Sequence, residues 1–225
     1  MNRARLGAAS LLGACVLAAG VCPGSQAAHA GTLENRVLEE LNLARTAPAT
    51  YAGRLREYRG WFAGRVVTVP GTDSPVLSRE GTAAVDEAIR FLDRQKPLPP
   101  LHGDATLALA ARDWVAAQGP RGGRGHFAAN GKGPGERVMA RGGGRYVAEN
   151  IAYGPDEADL VVLQLIVDDG VPDRGHRRTI YDGSYAYAGA ACGGHAVFGT
   201  MCVIDYSTFP AGTWQQAGSR GTARR

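Results

Sequence analysis

Apolar residues recur at helical spacing through the first half of the chain and in short, dense runs through the second half. A helical stripe follows Thr32, whose side chain can cap it, and a second starts at Pro48, a residue favoured at the first helical position. Two more stripes occupy about 78–92 and 105–118, and Asp104 is suited to cap the latter. The first half of the chain is therefore predicted to be mainly helical.

The second half combines one buried helix with a strand pair. Residues 160–167 form an apolar run long enough for a fully buried helix. The segments 184–192 and 196–206 are rich in aromatic and β-branched residues, which predicts two antiparallel strands joined by a turn at Gly193-Gly194. Because helices come first and strands last, the pattern predicts an α+β fold with a small antiparallel sheet rather than parallel βαβ units.

Three stretches lack a periodic pattern. Residues 60–77 mix glycine, proline and β-branched residues, and we interpret them as a loop with at most a short strand. Residues 119–145 are rich in glycine and arginine, which is compatible with nucleic-acid binding or with a loop that lines a cleft. Aromatic residues that could stack on bases are nearly absent there, so we favour the cleft. The polar stretch 211–225 is expected to be a disordered tail.

Residues 1–30 have the organisation of a secretory signal peptide. Two arginines precede an apolar segment, and Ala28-His29-Ala30 supplies the small residues of a cleavage site. Lipoprotein processing at Cys15 is an alternative, although it would leave a very short apolar segment. We expect cleavage after Ala30, export from the cytoplasm, and a single folded domain over 31–210.

Charge and cysteine content limit which kinds of partner and which cellular compartment are expected. Removal of residues 1–30 leaves 23 basic against 21 acidic residues, a balance too small to indicate a nucleic-acid or membrane partner. Cys192 and Cys202 remain, and in an exported chain they predict one disulfide rather than two separately buried thiols. A tight turn at Gly193-Gly194 would place them too far apart, so we expect 193–199 to curl rather than to form an ideal hairpin.

The candidate chemistry lies in a set of histidines and carboxylates. The sequence has no zinc-protease helix motif, no Cys-x-x-Cys pair and no Gly-x-Ser-x-Gly. The remaining residue types, imidazole and carboxylate, are ligands for divalent ions and also serve general acid–base chemistry. The alternative is structural, with each acid ending a helix or turn and the histidines solvated. The set comprises His126, Glu149, Asp168 or Asp169, and His176.

Three short motifs in this set resemble a known family. Gly125-His126-Phe127, Ala148-Glu149-Asn150-Ile151 and Gly175-His176-Arg177 resemble the signature of the CAP superfamily, also called the SCP domain. The resemblance covers about 99–206, and 33–52 is similar to the first helix of bacterial members. Against this resemblance, 60–97 is expected to be an insertion or a lineage-specific elaboration within the domain.

The resemblance implies an α-β-α sandwich with a cleft that holds two histidines and two acids. His126, Glu149 and His176 match three of these positions. Asp168 occupies the place of the second acid, which is normally glutamate, and Leu165 stands where the family has tryptophan. The long aromatic-rich motif of animal and plant members is missing. In this respect the sequence resembles bacterial members.

These observations lead to three hypotheses for a secreted, monomeric protein. In the first, the cleft binds zinc or another divalent metal through His126 and His176, with the carboxylates as further ligands or as orienting groups, and the protein is a binding or interaction module rather than an enzyme. In the second, it is a metal-assisted hydrolase in which metal-bound water or a histidine base attacks the substrate and Glu149 shuttles the proton. In the third, the two histidines and two acids (the tetrad) are vestigial, and the protein binds a sterol, another lipid or a protein partner. None of the three involves nucleic acid or a transmembrane segment.

Overall fold

The computed structural model describes residues 31–71 and 75–214. Within these ranges the α-helices are α1 (Leu33–Thr46), α2 (Pro48–Arg59), α3 (Thr82–Leu92), α4 (Ala105–Gln118), α5 (Pro134–Ala140), α6 (Ala158–Val167) and α7 (Gly175–Ile180). The strands are β1 (Phe62–Ala63), β2 (Val66–Val67), β3 (Val76–Leu77), β4 (His102–Gly103), β5 (Val147–Tyr153), β6 (Tyr187–His195) and β7 (Gly199–Ser207). The predicted signal peptide and residues 215–225 lie outside the described ranges.

A four-stranded sheet forms the middle layer, in the order β4-β6-β7-β5. The β6–β7 and β5–β7 pairs are antiparallel, as predicted for a small antiparallel sheet, whereas the two-residue strand β4 runs parallel to β6. The sheet is therefore mixed, and β5 is an edge strand. A separate small sheet, β1-β2-β3, occupies part of the stretch 60–77, where the sequence predicts a loop with at most one short strand.

Helices cover both faces of the four-stranded sheet. Cys202, Ile204 and Tyr206 of β7 face the larger core, which includes buried residues of α1, α2, α3 and α6. Met201 and Val203 point to the other face and pack with residues of α4. This arrangement is an α-β-α sandwich within an α+β fold, and it confirms the predicted fold class.

Side-chain caps set the helix starts as the sequence indicates. The Thr32 hydroxyl accepts the N–H of Asn35, and Asp104 accepts the N–H groups of Thr106 and Leu107, so both predicted caps are confirmed. Helix α3 starts at Thr82 rather than near 78 because Gly81, in the left-handed region with φ of 65°, interrupts the chain there.

The disulfide between Cys192 and Cys202 is confirmed, but the predicted curl is wrong. The two residues are direct partners in the β6–β7 register, and their Cα atoms lie 4.1 Å apart. The turn falls at 196–198 rather than at Gly193-Gly194, since the hairpin continues to His195 opposite Gly199. Moving the turn by three residues places the cysteines opposite each other in a regular hairpin.

Residues 60–97, which the resemblance marks as an insertion, contribute to the main core. Val85, Ala88 and Leu92 of α3 are buried in the same cluster as α6. At the other end of the domain, Ala211 of the predicted tail donates its N–H to Asp104 Oδ2 at 2.8 Å.

Arg45 links α1 to the segment that follows α7. Its side chain is fully buried and donates to the backbone carbonyls of Pro99, Ile180, Asp182 and Tyr185. Burial lowers the pKa of the guanidinium, and the four carbonyls compensate for the lost hydration. Helix α7 is thereby fixed at its C-terminal end.

Candidate functional site

The first histidine of the site is tied to a buried carboxylate. His126 Nδ1 lies 2.8 Å from Glu149 Oε1, and Glu149 Oε2 accepts from Arg137 of α5. The Glu149 side chain is only 1% exposed, whereas that of His126 is 38% exposed. A carboxylate only accepts hydrogen bonds, so Nδ1 of His126 is the donor in this contact.

The loop that carries His126 is held by side chains from three elements. The Gly125 carbonyl accepts from Trp114 Nε1 at 3.0 Å and from Gln118 Nε2 at 2.9 Å, and its N–H donates to Tyr153 Oη at 2.9 Å. Arg137 also donates to the His126 carbonyl at 3.0 Å. The glycine-rich stretch therefore forms a loop that is anchored at the site. Its sequence has no periodic pattern from which these contacts could be predicted.

The second histidine is paired in the same way. His176 Nδ1 lies 2.6 Å from Asp168 Oδ1, and Asp168 Oδ2 accepts the His176 N–H at 2.9 Å. Asp168 is 2% exposed and has a left-handed backbone, with φ of 57°, at the end of α6. Of the two candidate aspartates, Asp168 contacts His176, whereas Asp169 accepts the N–H groups of Arg79 and Glu80.

Two further side chains position His176. Asn150 of β5 donates through Nδ2 to the His176 carbonyl at 3.1 Å. Arg174, which precedes α7, donates to the carboxylates of Glu80 and Glu87 and to the carbonyl of Asp168. Hydrogen bonds from Arg174 lower the pKa of Glu80 to about 2, so this pair stays ionised in the neutral range. Glu80, which precedes α3, and Glu87 of α3 thus hold the loop that leads to His176.

An additional acid lies beneath the site. Asp205 of β7 is the direct register partner of Glu149 and is fully buried. Within the described part of the chain, neither of its carboxylate oxygens has a partner in hydrogen-bonding geometry. Burial, and next the nearby charge of Glu149, raise the pKa of Asp205 well above its usual range. The raised pKa favours the neutral form of the Asp205 carboxyl.

Both imidazoles open onto one cleft, although fifty residues separate them in the sequence. The cleft has a volume of about 320 Å³ and is lined by Arg124, Gly125, His126, Ile151, Tyr153 and His176. Glu149 and Asp168 are not among the lining residues; each lies behind its histidine. All four candidate residues therefore meet at one place, but they do so as two separate carboxylate–histidine pairs.

Comparison with known proteins identifies the family. The model of the cysteine-rich secretory protein family, CAP, matches residues 38–206, which is more than half of the 225 residues. The chain belongs to the CAP family. No curated protein sequence matches this CAP chain significantly.

Among solved structures, this CAP domain is similar to an extracellular protein containing an SCP domain from Bacillus anthracis strain Ames. The two are 19% identical, with a TM-score of 0.39, and the match covers 48% of this chain and 34% of the other. The matched part thus spans about a third of the length of that protein. Within the described residues, no helix combines the length and the apolarity needed to cross a membrane.

Imidazole and carboxylate, the two donor types of the CAP site, are those that divalent metals such as zinc bind in proteins. Each imidazole has its Nδ1 on a carboxylate, an arrangement that orients metal-binding histidines and leaves Nε2 available. No group of three or more histidine, cysteine or acidic side chains in the described ranges is arranged to hold an ion. The chain would therefore supply two nitrogen ligands, with the carboxylates as orienting groups behind them.

Several residues of the site were not predicted from the sequence. Arg137 lies on α5, a helix missed inside the glycine-rich stretch, although two signals were present: Pro134 at the first helical position and Glu136, whose side chain accepts the Gly133 N–H at 2.9 Å. Asp205 carries no local signal beyond a charge within an apolar strand. Arg174 has none, because its carboxylate partners lie 87 and 94 residues away.

Proposed function

We propose that this CAP-domain protein is exported and acts as a binding module whose cleft holds a divalent metal ion through Nε2 of His126 and of His176. The observation that carries the proposal is the pair of carboxylate–histidine units that open onto one cleft. When bound, the ion would supply a positive centre with open positions for a ligand. The disulfide is consistent with export, since such bonds persist in oxidising compartments.

In this proposal each carboxylate orients and polarises the imidazole ring of its histidine. Glu149 and Asp168 fix the ring of their histidine and the tautomer in which Nε2 is unprotonated. Arg137 compensates the charge of Glu149, and Asn150 fixes the backbone at His176. These contacts come from α5, β5 and α6, so the two imidazoles are held by separate rigid elements.

The same geometry favours binding over hydrolysis. A general base must reach the proton that it removes, directly or through one water. Glu149 is almost fully buried, and both of its oxygens are engaged by His126 and Arg137. It is therefore placed to hold His126 rather than to accept a proton from a molecule in the cleft.

The test is calorimetric titration of Zn²⁺ into the purified exported protein and its variants. We expect His126→Ala and His176→Ala each to abolish tight binding, because either change leaves a single imidazole. His102→Ala is the matched control: His102 is an exposed histidine on β4, outside the cleft, and its loss should leave the affinity unchanged. Unchanged Zn²⁺ affinity in both cleft variants would reject the metal site and favour a vestigial tetrad.

The enzyme alternative has its own readout. We expect ester and peptide substrates to show no turnover above blank, with or without Zn²⁺, and Glu149→Gln to lower only the metal affinity. A metal-dependent hydrolytic activity that disappears in Glu149→Gln would replace the binding proposal with the hydrolase.

A further inference from the structure

Arg124 lies at the edge of the cleft and stacks on two aromatic rings. Its guanidinium carbon is 5.5 Å from the centroid of the Tyr153 ring and 5.3 Å from that of Phe198. Such cation–π contacts hold a guanidinium in place without using its N–H donors. The planar group with its five donors therefore remains available to a ligand.

Arg124 differs in this respect from the other arginines around the site. Arg137, Arg174 and Arg177 each donate to at least one carboxylate. Arg124 has no carboxylate partner within residues 31–71 and 75–214. The cleft thus contains a charged donor that the rest of the described chain does not neutralise.

The backbone at Arg124 is anchored on both sides. His195 Nε2 donates to the Gly123 carbonyl at 2.8 Å, while its Nδ1 accepts the N–H groups of Val197 and Phe198, each at 3.2 Å. On the other side, Gly125 is held through Tyr153, Trp114 and Gln118, as described above. The same histidine thus fixes both Arg124 and the turn that supplies the Phe198 ring.

The electrostatic character of the cleft follows from its lining. Its ionisable side chains are Arg124, His126, Tyr153 and His176, and no carboxylate is among the lining residues. The nearest acids, Glu149 and Asp168, are 1% and 2% exposed and are already paired with their histidines. The surface that a ligand meets is therefore neutral to positive, and it becomes more positive with an ion on the imidazoles.

From these observations we infer that Arg124 forms an anion-binding subsite, which takes a carboxylate or phosphate group of the ligand next to the two histidines. A guanidinium matches the paired oxygens of either group. This inference rests on the proposed function in one respect: the anionic group would bind beside the metal ion and offset part of its charge. It adds the chemical class of the ligand, which must carry at least one oxyanion.

The subsite can be tested on metal-free protein, so that the result does not depend on the metal. Inorganic phosphate and, in a second arm, acetate are titrated at constant ionic strength, and the Arg124 Nε–H and Gly125 N–H resonances are followed by ¹⁵N NMR. We expect saturable shifts with at least one of the two anions. Saturation by phosphate alone assigns a phosphate group to the ligand, and saturation by acetate alone assigns a carboxylate.

Two substitutions that each remove one positive charge provide the test and its control. Arg124→Gln should weaken anion binding at least about tenfold, followed at Gly125 N–H, since it removes a charge-assisted contact. Arg121→Gln removes an equal charge three residues earlier, outside the lining of the cleft, and should leave the affinity within about twofold. Shifts that do not saturate with either anion, or equal affinities in Arg124→Gln and the wild type, would overturn the inference.

Zinc titration of Arg124→Gln separates this inference from the proposed function. We expect the variant to keep its Zn²⁺ affinity, because both imidazoles remain. Anion binding that depends on Arg124 in a protein without Zn²⁺ affinity would contradict the metal site alone. Zn²⁺ binding without Arg124-dependent anion binding would contradict the subsite alone.

Discussion

Asp168 holds His176 by two contacts at once: its Oδ1 lies 2.6 Å from Nδ1 of the ring, and its Oδ2 accepts the backbone N–H of the same residue at 2.9 Å. An aspartate suffices for the second acid of the site because it lies directly at the end of α6, eight residues before the histidine. The shorter side chain is matched by the left-handed backbone of Asp168, which turns the chain towards α7.

Asp168→Asn should lower Zn²⁺ affinity by about 10- to 100-fold, because loss of an orienting carboxylate has effects of that size. Asparagine tolerates the left-handed conformation, so the fold should be retained. Asp169→Asn is the matched control, since the Asp169 carboxylate accepts the backbone N–H groups of Arg79 and Glu80 rather than a contact from His176. Calorimetry that finds equal losses in both variants would contradict the pairing of Asp168 with His176.

Arg174→Met should lower the free energy of unfolding by about 2 kcal/mol, because it removes a 12%-exposed arginine from two carboxylates and two carbonyls. The control is Arg178→Met: the ion pair of Arg178 with Asp173 is about two-thirds exposed on both sides and should contribute much less to stability. Urea denaturation measures both. Equal small losses would show that Arg174 does not brace the loop before His176.

Asp205→Asn should change the pH dependence of stability in a defined direction. The folded-state pKa of Asp205 is raised, so its contribution is present below the unfolded-state pKa of about 3.9 and is lost as pH rises towards the folded-state value. The amide does not titrate, so the variant should gain stability relative to the wild type as pH increases through that window. Urea denaturation at several pH values checks this, and parallel profiles would contradict a neutral Asp205.

Reduction of the Cys192–Cys202 disulfide should lower the free energy of unfolding by about 3 kcal/mol, the loop-closure value for a bridge across about ten residues. The measurement is urea denaturation of the wild type against a Cys192→Ala, Cys202→Ala double variant, which cannot re-form the bridge. Intact mass of exported protein after alkylation gives the state of the thiols. Two alkylated cysteines without prior reduction would contradict the bridge.

Some features of this protein follow from local sequence alone. Thr32 and Asp104 mark helix starts because a capping side chain acts within three residues of its own position. The apolar run at 160–167 predicts the buried helix α6 for a similarly local reason: its length and composition decide its burial. The ordered motifs around His126, Glu149 and His176 indicate the family, and the family implies the sandwich.

Other features are decided only by tertiary structure, since they depend on register and on contacts between distant segments. The β5–β7 register makes Glu149 and Asp205 neighbours, and a slip of one residue would send Asp205 to the opposite face. The path of the chain after α6, held by Glu80 and Arg174, selects Asp168 rather than Asp169 as the partner of His176. Neither choice is encoded within a window of a few residues: strand pairing brings Asp205 to Glu149 from 56 positions away, and the contacts of Arg174 with Glu80 place the loop between Asp168 and His176.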